Sequence, residues 1–258
     1  RWELFCRYTV PSMRAQTCQE FDWLIYFDTE SPQWLLNGVA SHEEERLYRA
    51  IFRTSVTSAD LLKDIVDVVR NPGARLLTTN LDNDDGLALN FVERAVDTTV
   101  THPRAAVYFV NGIIRSNDRL YRRTDRNNAF CSVIEPWERA LTCWHDWHIL
   151  LGKHMPVVEV EGPPAWLQVV HGTNVSNRVH GTLVDPDEVR SELGSLVDDV
   201  RHPGKRRIIG DRFLYAPARL LRDRLRAAAK AALLTIGGKE GLDRLKEIAG
   251  KAKRKRLT

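Results

Sequence analysis

Three observations predict an α/β fold whose mainly parallel sheet is flanked by helices. Short apolar runs alternate with amphipathic stretches over the first third of the chain. Those runs are dense in branched and aromatic residues, as strands covered on both faces are. Two of them end in aspartate, at Asp28 and at the cluster beginning with Asp82, which is where ligands bind in such sheets. With 258 residues, the chain suits one large domain, expected over 1–215, plus an appendage over 216–258.

Residues 1–17 are predicted as a helix, with Trp2, Phe5 and Cys6 on one face and an interruption at Pro11. FDWLIYFD then forms a strand that ends at Asp28 and is broken by Ser31-Pro32. Residues 43–53 and 58–70 are predicted as amphipathic helices, the second capped by Thr57 or Ser58 and closed by Asn71-Pro72-Gly73. ARLLTTNL is the next strand. AAVYFVNGIIRSNDRLYRRT follows as strand, turn and strand, with the turn at Ser116-Asn117-Asp118, and FCSVIE adds a short strand. A helix is expected over 138–151, carrying the WHDWH sequence. VVEVEG and AWLQVV are two more strands, separated by Gly162-Pro163-Pro164, and the second delivers His171-Gly172. Gly112, between VYFVN and IIRS, either marks a bulge or admits a close backbone approach.

LLTTNLDNDDGLALNFVERA places three carboxylates in four residues, Asp82, Asp84 and Asp85, at the end of a strand. Like charges so close repel unless a cation joins them, so the segment is either a solvated acidic turn or a site where a divalent ion bridges protein and an anionic substrate. A calcium loop of the EF-hand type fits poorly. Glu93 falls at the twelfth position from Asp82, but Gly86 comes one place early and the fifth position lacks an oxygen ligand.

Cys6, Cys18, Cys131 and Cys143 lack the paired spacing of zinc sites or disulfide frameworks, so free thiols in a reducing cytoplasm are expected. No apolar run approaches the roughly 18 residues that span a bilayer, and no secretory signal is evident. Because the sequence opens at Arg1 rather than Met, the natural N-terminus is expected upstream. The charge is unevenly placed: residues 216–258 hold 13 Lys and Arg against 4 Asp and Glu, the rest 25 against 30.

PSMRAQTCQEFDWLIYFD, followed by TTNLDNDDGL and later WLQVVHGTNVSNRV, resembles the rhamnosyltransferase family and, more broadly, nucleotide-sugar glycosyltransferases of the GT-A fold, a Rossmann-like architecture. The likeness covers about residues 1–179. It implies that Asp82 and Asp84 are the outer acids of a DxD motif holding Mg²⁺ or Mn²⁺ against the donor diphosphate, and that His171 completes the metal site. Imidazole among the ligands favours Mn²⁺ over Mg²⁺. Asp28 is implied in binding the base or ribose, unless it only caps a turn. Asp146 is implied as the base that deprotonates the acceptor, tuned by His145 or His148, although the usual Glu-Asp pair is replaced here by His-Asp. Gly112 could admit the sugar. Fold relatives begin with a strand and loop that hold the base, whereas this sequence begins in the following helix, so that part of the donor pocket is expected to be missing.

The resemblance thus implies metal-dependent transfer of a sugar, by family name rhamnose, from a nucleotide-diphosphate donor to a hydroxyl of a glycan or lipid-linked acceptor, with an inverting course expected and a retaining one left open. Two alternatives stand beside it: another metal-dependent nucleotidyltransferase or phosphohydrolase, and a non-catalytic module docking on membrane or nucleic acid. ARLLRDRLRAAAKAALL carries Arg222, Arg226 and Lys230 at four-residue spacing, and KAKRKR follows near the end. This tail suits a helix on the anionic inner face of the membrane or one packed on the domain. Nucleic acid is disfavoured because 216–258 has no aromatic residue on which bases could stack.

Overall fold

The computed structural model describes residues 1–43, 47–69, 72–171 and 179–222. It divides into two compact units, Arg1–Pro203 and Gly204–Thr258.

The first unit opens with α1 (Trp2–Leu4), a π-helical stretch Phe5–Thr9, and α2 (Val10–Arg14). Pro11 does not end this helix. Its ring would collide with the carbonyl four residues back and it offers no N–H, so an ordinary α-turn cannot precede it. The wider π-turn, in which Val10 N–H reaches Phe5 O, accommodates it.

Strand β1 (Leu24–Phe27) leads through α3 (Gln33–Glu43) to β2 (Arg49–Phe52), and the two strands pair in parallel from Leu24↔Arg49 to Phe27↔Phe52. This corrects the helix expected over 43–53. Tyr48 and the first helical run, with Phe5 and Val10, cover Trp23, Ile25 and Phe27, so RAIF is drawn into a sheet despite its helical spacing. Helix α4 (Ser58–Val68) starts as expected at Thr57, whose hydroxyl accepts from Asp60 N at 3.2 Å while Asp60 returns a bond to Thr57 N at 2.9 Å.

β3 (Leu76–Thr79), β4 (Gly86–Leu87), α5 (Phe91–Asp97), β5 (Ala105–Phe109), β6 (Asn111–Ser116), β7 (Arg119–Thr124), β8 (Ser132–Glu135), β9 (Val157–Val160), β10 (Trp166–Val170) and β11 (Thr182–Val184) build two larger sheets. One runs β3-β8-β5-β9, the other β11-β7-β6-β10-β4. Among the described residues, five of the eight strand pairings are antiparallel. The sheets are therefore mixed, which corrects the mainly parallel sheet expected. The cause is local: the tight turn at Asn117, held at φ 53°, folds β7 straight back on β6, and β8 inserts between β3 and β5 running the opposite way.

Phe91, Phe109, Phe130 and Trp166 form the core between α5 and the strands. Gly112 lies in regular register opposite Arg123, not in a bulge. A Cβ there would stand 2.0 Å from the Trp166 ring, so glycine makes room for indole packing. β1 and β3 border a mainly apolar cleft of about 430 Å³, lined by Leu24, Tyr26, Ile65, Leu77, Thr79 and Trp144.

The second unit is described from Gly204 to Arg222. It comprises α7 (Lys205–Gly210), a second π-helical stretch Asp211–Tyr215, and helix to 222; α6 (Arg190–Leu193) belongs to the first unit. Here too the π-turn precedes a proline, Pro217, and Ala216 N–H reaches back five residues to Asp211 O. Residues 223–258 of the expected basic tail lie outside the described residues. No described helix is long and apolar enough to cross a membrane.

Candidate active site

The acidic loop takes its geometry from sheet register. β4 pairs antiparallel with β10, Gly86 opposite Leu167, so the residues just before β4 run alongside those at the end of β10. Asp85 Oδ1 accepts from Val169 N at 2.7 Å, and Asp84 Oδ2 meets His171 Nε2 at 2.8 Å. Two residues 87 positions apart are thereby joined.

The structure brings together two of the three expected metal ligands. Asp84 is 7% exposed and faces His171, whereas Asp82 stays exposed on the loop, with Oδ1 3.4 Å from Asn80 Nδ2. Asp85, beside Asp84, is 2% exposed. Burial raises its carboxyl well above the ordinary range, and the charges of Asp84 and Asp82 add to the rise, against the opposing bond from Val169 N–H. Among the described residues, no Lys or Arg forms an ion pair with this trio of acids. The arrangement gathers carboxyl groups in a place of low dielectric with one imidazole against them, and Asp84 with His171 could hold a divalent cation there. Carboxylate oxygen with imidazole nitrogen is a donor set that suits Mn²⁺.

The RAQT motif acts as a latch on this loop. Gln16, 4% exposed, donates to Ala88 O at 2.8 Å and accepts from Val92 N at 3.0 Å, while Thr9 Oγ1 donates to Asp85 O at 2.7 Å. Arg1 Nη1 reaches Asn83 Oδ1 at 3.1 Å. The first helical run is thus fixed to the acids through the backbone.

Asp28 follows β1 and accepts from Glu30 N at 2.9 Å, the turn-capping arrangement. WHDWH does not lie on an α-helix, which corrects the helix expected over 138–151; it occupies a loop followed by a 3₁₀ turn, His148–Lys153. The loop is pinned at its root. Glu135, completely buried, accepts from Arg104 Nε at 2.6 Å, Leu141 N at 2.9 Å and Thr142 N at 2.7 Å. Arg139 and Thr142 sit at φ 55° and 64°, left-handed conformations that persist only where neighbours enforce them. Trp144 Nε1 then donates to Asn80 Oδ1 at 3.0 Å, tying the loop to the residue two before Asp82.

Asp146 pairs with neither His145 nor His148. Its Oδ2 lies 2.8 Å from His154 Nε2, and its Oδ1 accepts from Trp147 N at 2.7 Å. The His154 bond, with help from Trp147 N–H, holds its carboxyl below the ordinary range. The edge of one ring in the His145–His154 pair meets the face of the other, centroids 4.6 Å apart. Burial lowers the His148 pKa, opposed by the charges of Asp82 and Asp125.

Sequence reasoning missed Glu135, His154 and Asn80. A buried glutamate at the end of an apolar strand was a usable signal, because such a carboxylate must find donors. The other two depend on loop geometry that no periodicity encodes. Among the described residues, a single group of three meets metal-ligand spacing, Asp185, Asp187 and His202, with ligand atoms within 4.8 Å of one another. It lies where Asp185 caps the 3₁₀ turn Pro186–Glu188, with His202 Nδ1 at 3.0 Å from Asp185.

No curated protein matches the chain. A family described as putative rhamnosyl transferase matches residues 1–183, a span that holds the acidic loop, the WHDWH loop and His171. The chain belongs to that rhamnosyl transferase family.

Proposed function

We propose that this protein transfers rhamnose or a related sugar from a nucleotide-diphosphate donor to a hydroxyl of a glycan or lipid-linked acceptor, using Mn²⁺ or Mg²⁺. The observation that carries the reading is the part-buried Asp84–His171 pair beside a deeply buried Asp85, within a chain of this family. Asp84 and His171, with Asp82 at the rim, would hold the cation. Bound there, it would offset charge on the departing diphosphate. Asp85 orders the end of β10 through Val169 N–H and so sets the direction of His171. Asp146 and His154 form a carboxylate–imidazole pair able to take the acceptor proton, giving in-line attack with inversion. Asp28 would contact the base or ribose. The GT-A fold is part of this reading.

Incubation with a panel of nucleotide sugars, Mn²⁺ and glycan acceptors tests it. The expected products are free nucleoside diphosphate and glycosylated acceptor, lost on chelation. Release of nucleoside monophosphate with pyrophosphate would overturn transfer in favour of nucleotidyl chemistry.

A further inference from the structure

The helix over 205–222 exposes apolar side chains that nothing described in its own unit covers. Phe213 is 70% exposed, Leu214 68%, Tyr215 63%, Leu221 60%, Ile209 57% and Leu220 54%. Scattered exposed apolar residues are ordinary, but six within 13 positions of one helix are a concentration. Ile209, Phe213 and Leu220 recur at the i, i+4, i+11 spacing of one face.

Charge indicates the partner. The same 18 residues carry six Lys and Arg against one acid, Asp211. That acid is buried and held by Arg219 through two bonds, at 2.9 and 2.8 Å, so it does not offset the outward face. Lys205, Arg206, Arg207 and Arg212 form no ion pair with a described residue. At about 1.5 Å per residue the segment is roughly 27 Å long. Its charges forbid a spanning position, whereas an in-plane helix would sink its rings and branched chains below the headgroups and leave its guanidinium groups among phosphates.

We propose that the helix over 205–222 docks the protein on an anionic lipid surface. Single-stranded nucleic acid is the poorer occupant, because the patch is mostly aliphatic and offers only Phe213 and Tyr215 for stacking. The basic residues supply the salt-sensitive attraction to such a surface, and burial of the apolar side chains supplies the salt-resistant remainder. The proposal is independent of the transfer chemistry.

Co-sedimentation of the full chain with phosphatidylcholine vesicles, with and without phosphatidylserine, tests it. Binding is expected only with phosphatidylserine, weakening in high salt. The double variant Ile209→Ser, Phe213→Ser should weaken it at least about tenfold, since one buried large side chain is worth that much. These side chains are exposed, so the variant should keep its fold, checked by circular dichroism. Arg206→Glu with Arg212→Glu should abolish binding at moderate salt. Undiminished binding of the double serine variant would overturn the proposal, leaving the basic residues beyond 222 as the contact. So would equal binding to neutral vesicles, or full release by single-stranded DNA.

Discussion

Two of the places where the first unit buries charge are built oppositely. At one, Arg115, 4% exposed, is matched by Asp199 through two bonds of 2.7 Å, donates also to Leu196 O, and lies over the Tyr8 ring. At the other, Asp84 and Asp85 lie side by side, 7% and 2% exposed, with an imidazole as the hydrogen-bonded partner of Asp84 and no described guanidinium in an ion pair with either. The first is closed: the buried guanidinium has its carboxylate, which the more exposed Arg7 also meets, and nothing needs to arrive. The second is left one-sided by a fold able to do otherwise. A balanced pair holds elements together, whereas an unbalanced one carries a penalty that a proton or a ligand must relieve.

The sharpest test of this contrast is activity at the one-sided place. Asp84→Asn keeps the shape but removes the charge, and the expected result is at least about a 100-fold fall in metal-dependent donor turnover, with little change in melting temperature. A variant that kept its Mn²⁺ dependence would erase the distinction. At the balanced place the same kind of change should act on stability. Asp199→Ala leaves a buried guanidinium without its partner. Fully buried pairs lose about 3–5 kcal/mol in this way, but the Asp199 side chain is 43% exposed, so about 2 kcal/mol is expected. In a domain of this size that lowers the melting temperature by about 4–8 °C, while turnover per folded molecule stays unchanged.

The balanced pair also has a pH signature. Arg115, and then Arg7, hold the Asp199 carboxyl down at about 2. Because its folded value lies below the unfolded value of about 3.9, the stabilisation is complete above roughly pH 5 and is lost progressively as the pH falls through about 2. The gap in melting temperature between wild type and Asp199→Ala should therefore be constant from neutrality to about pH 5 and then narrow. A gap that held steady down to pH 2 would show that Asp199 acts by packing alone.

How much of this contrast was legible in the sequence depended on whether local chain carried it. The three aspartates announced themselves because they sit within four residues, and strands such as AAVYF and WLQVV did so through apolar runs, the second broken only by Gln168. That Asp84 would meet His171 followed only from resemblance, because the cause is the antiparallel register of β4 with β10, made by two residues of β4. RAIF read as helix because its spacing is ambiguous over four residues, and its pairing with LIYF decided otherwise. Arg115–Asp199 was invisible for a similar reason: an arginine inside a strand pattern gives no sign of the aspartate 84 positions later that neutralises it. The mixed strand directions were hidden as well, since apolar runs do not encode direction.

The exposed trio Asp185, Asp187 and His202 sets the limit of the comparison. It has better ligand spacing than the acidic loop, yet Asp187 and His202 are exposed, and Asp185 is engaged with Asp187 N at 3.1 Å in the cap of its turn. Water already solvates these charges, so no penalty awaits relief, and proximity alone gives a cation little to gain. Asp187→Asn with His202→Ala should then leave turnover within about twofold and stability within about 0.5 kcal/mol, the ordinary range for surface substitutions. Calorimetric titration with Mn²⁺ should show one site that survives this double change and is lost in Asp84→Asn. The reverse pattern would mean that ligand spacing, rather than unrelieved burial, identifies the metal site in this chain.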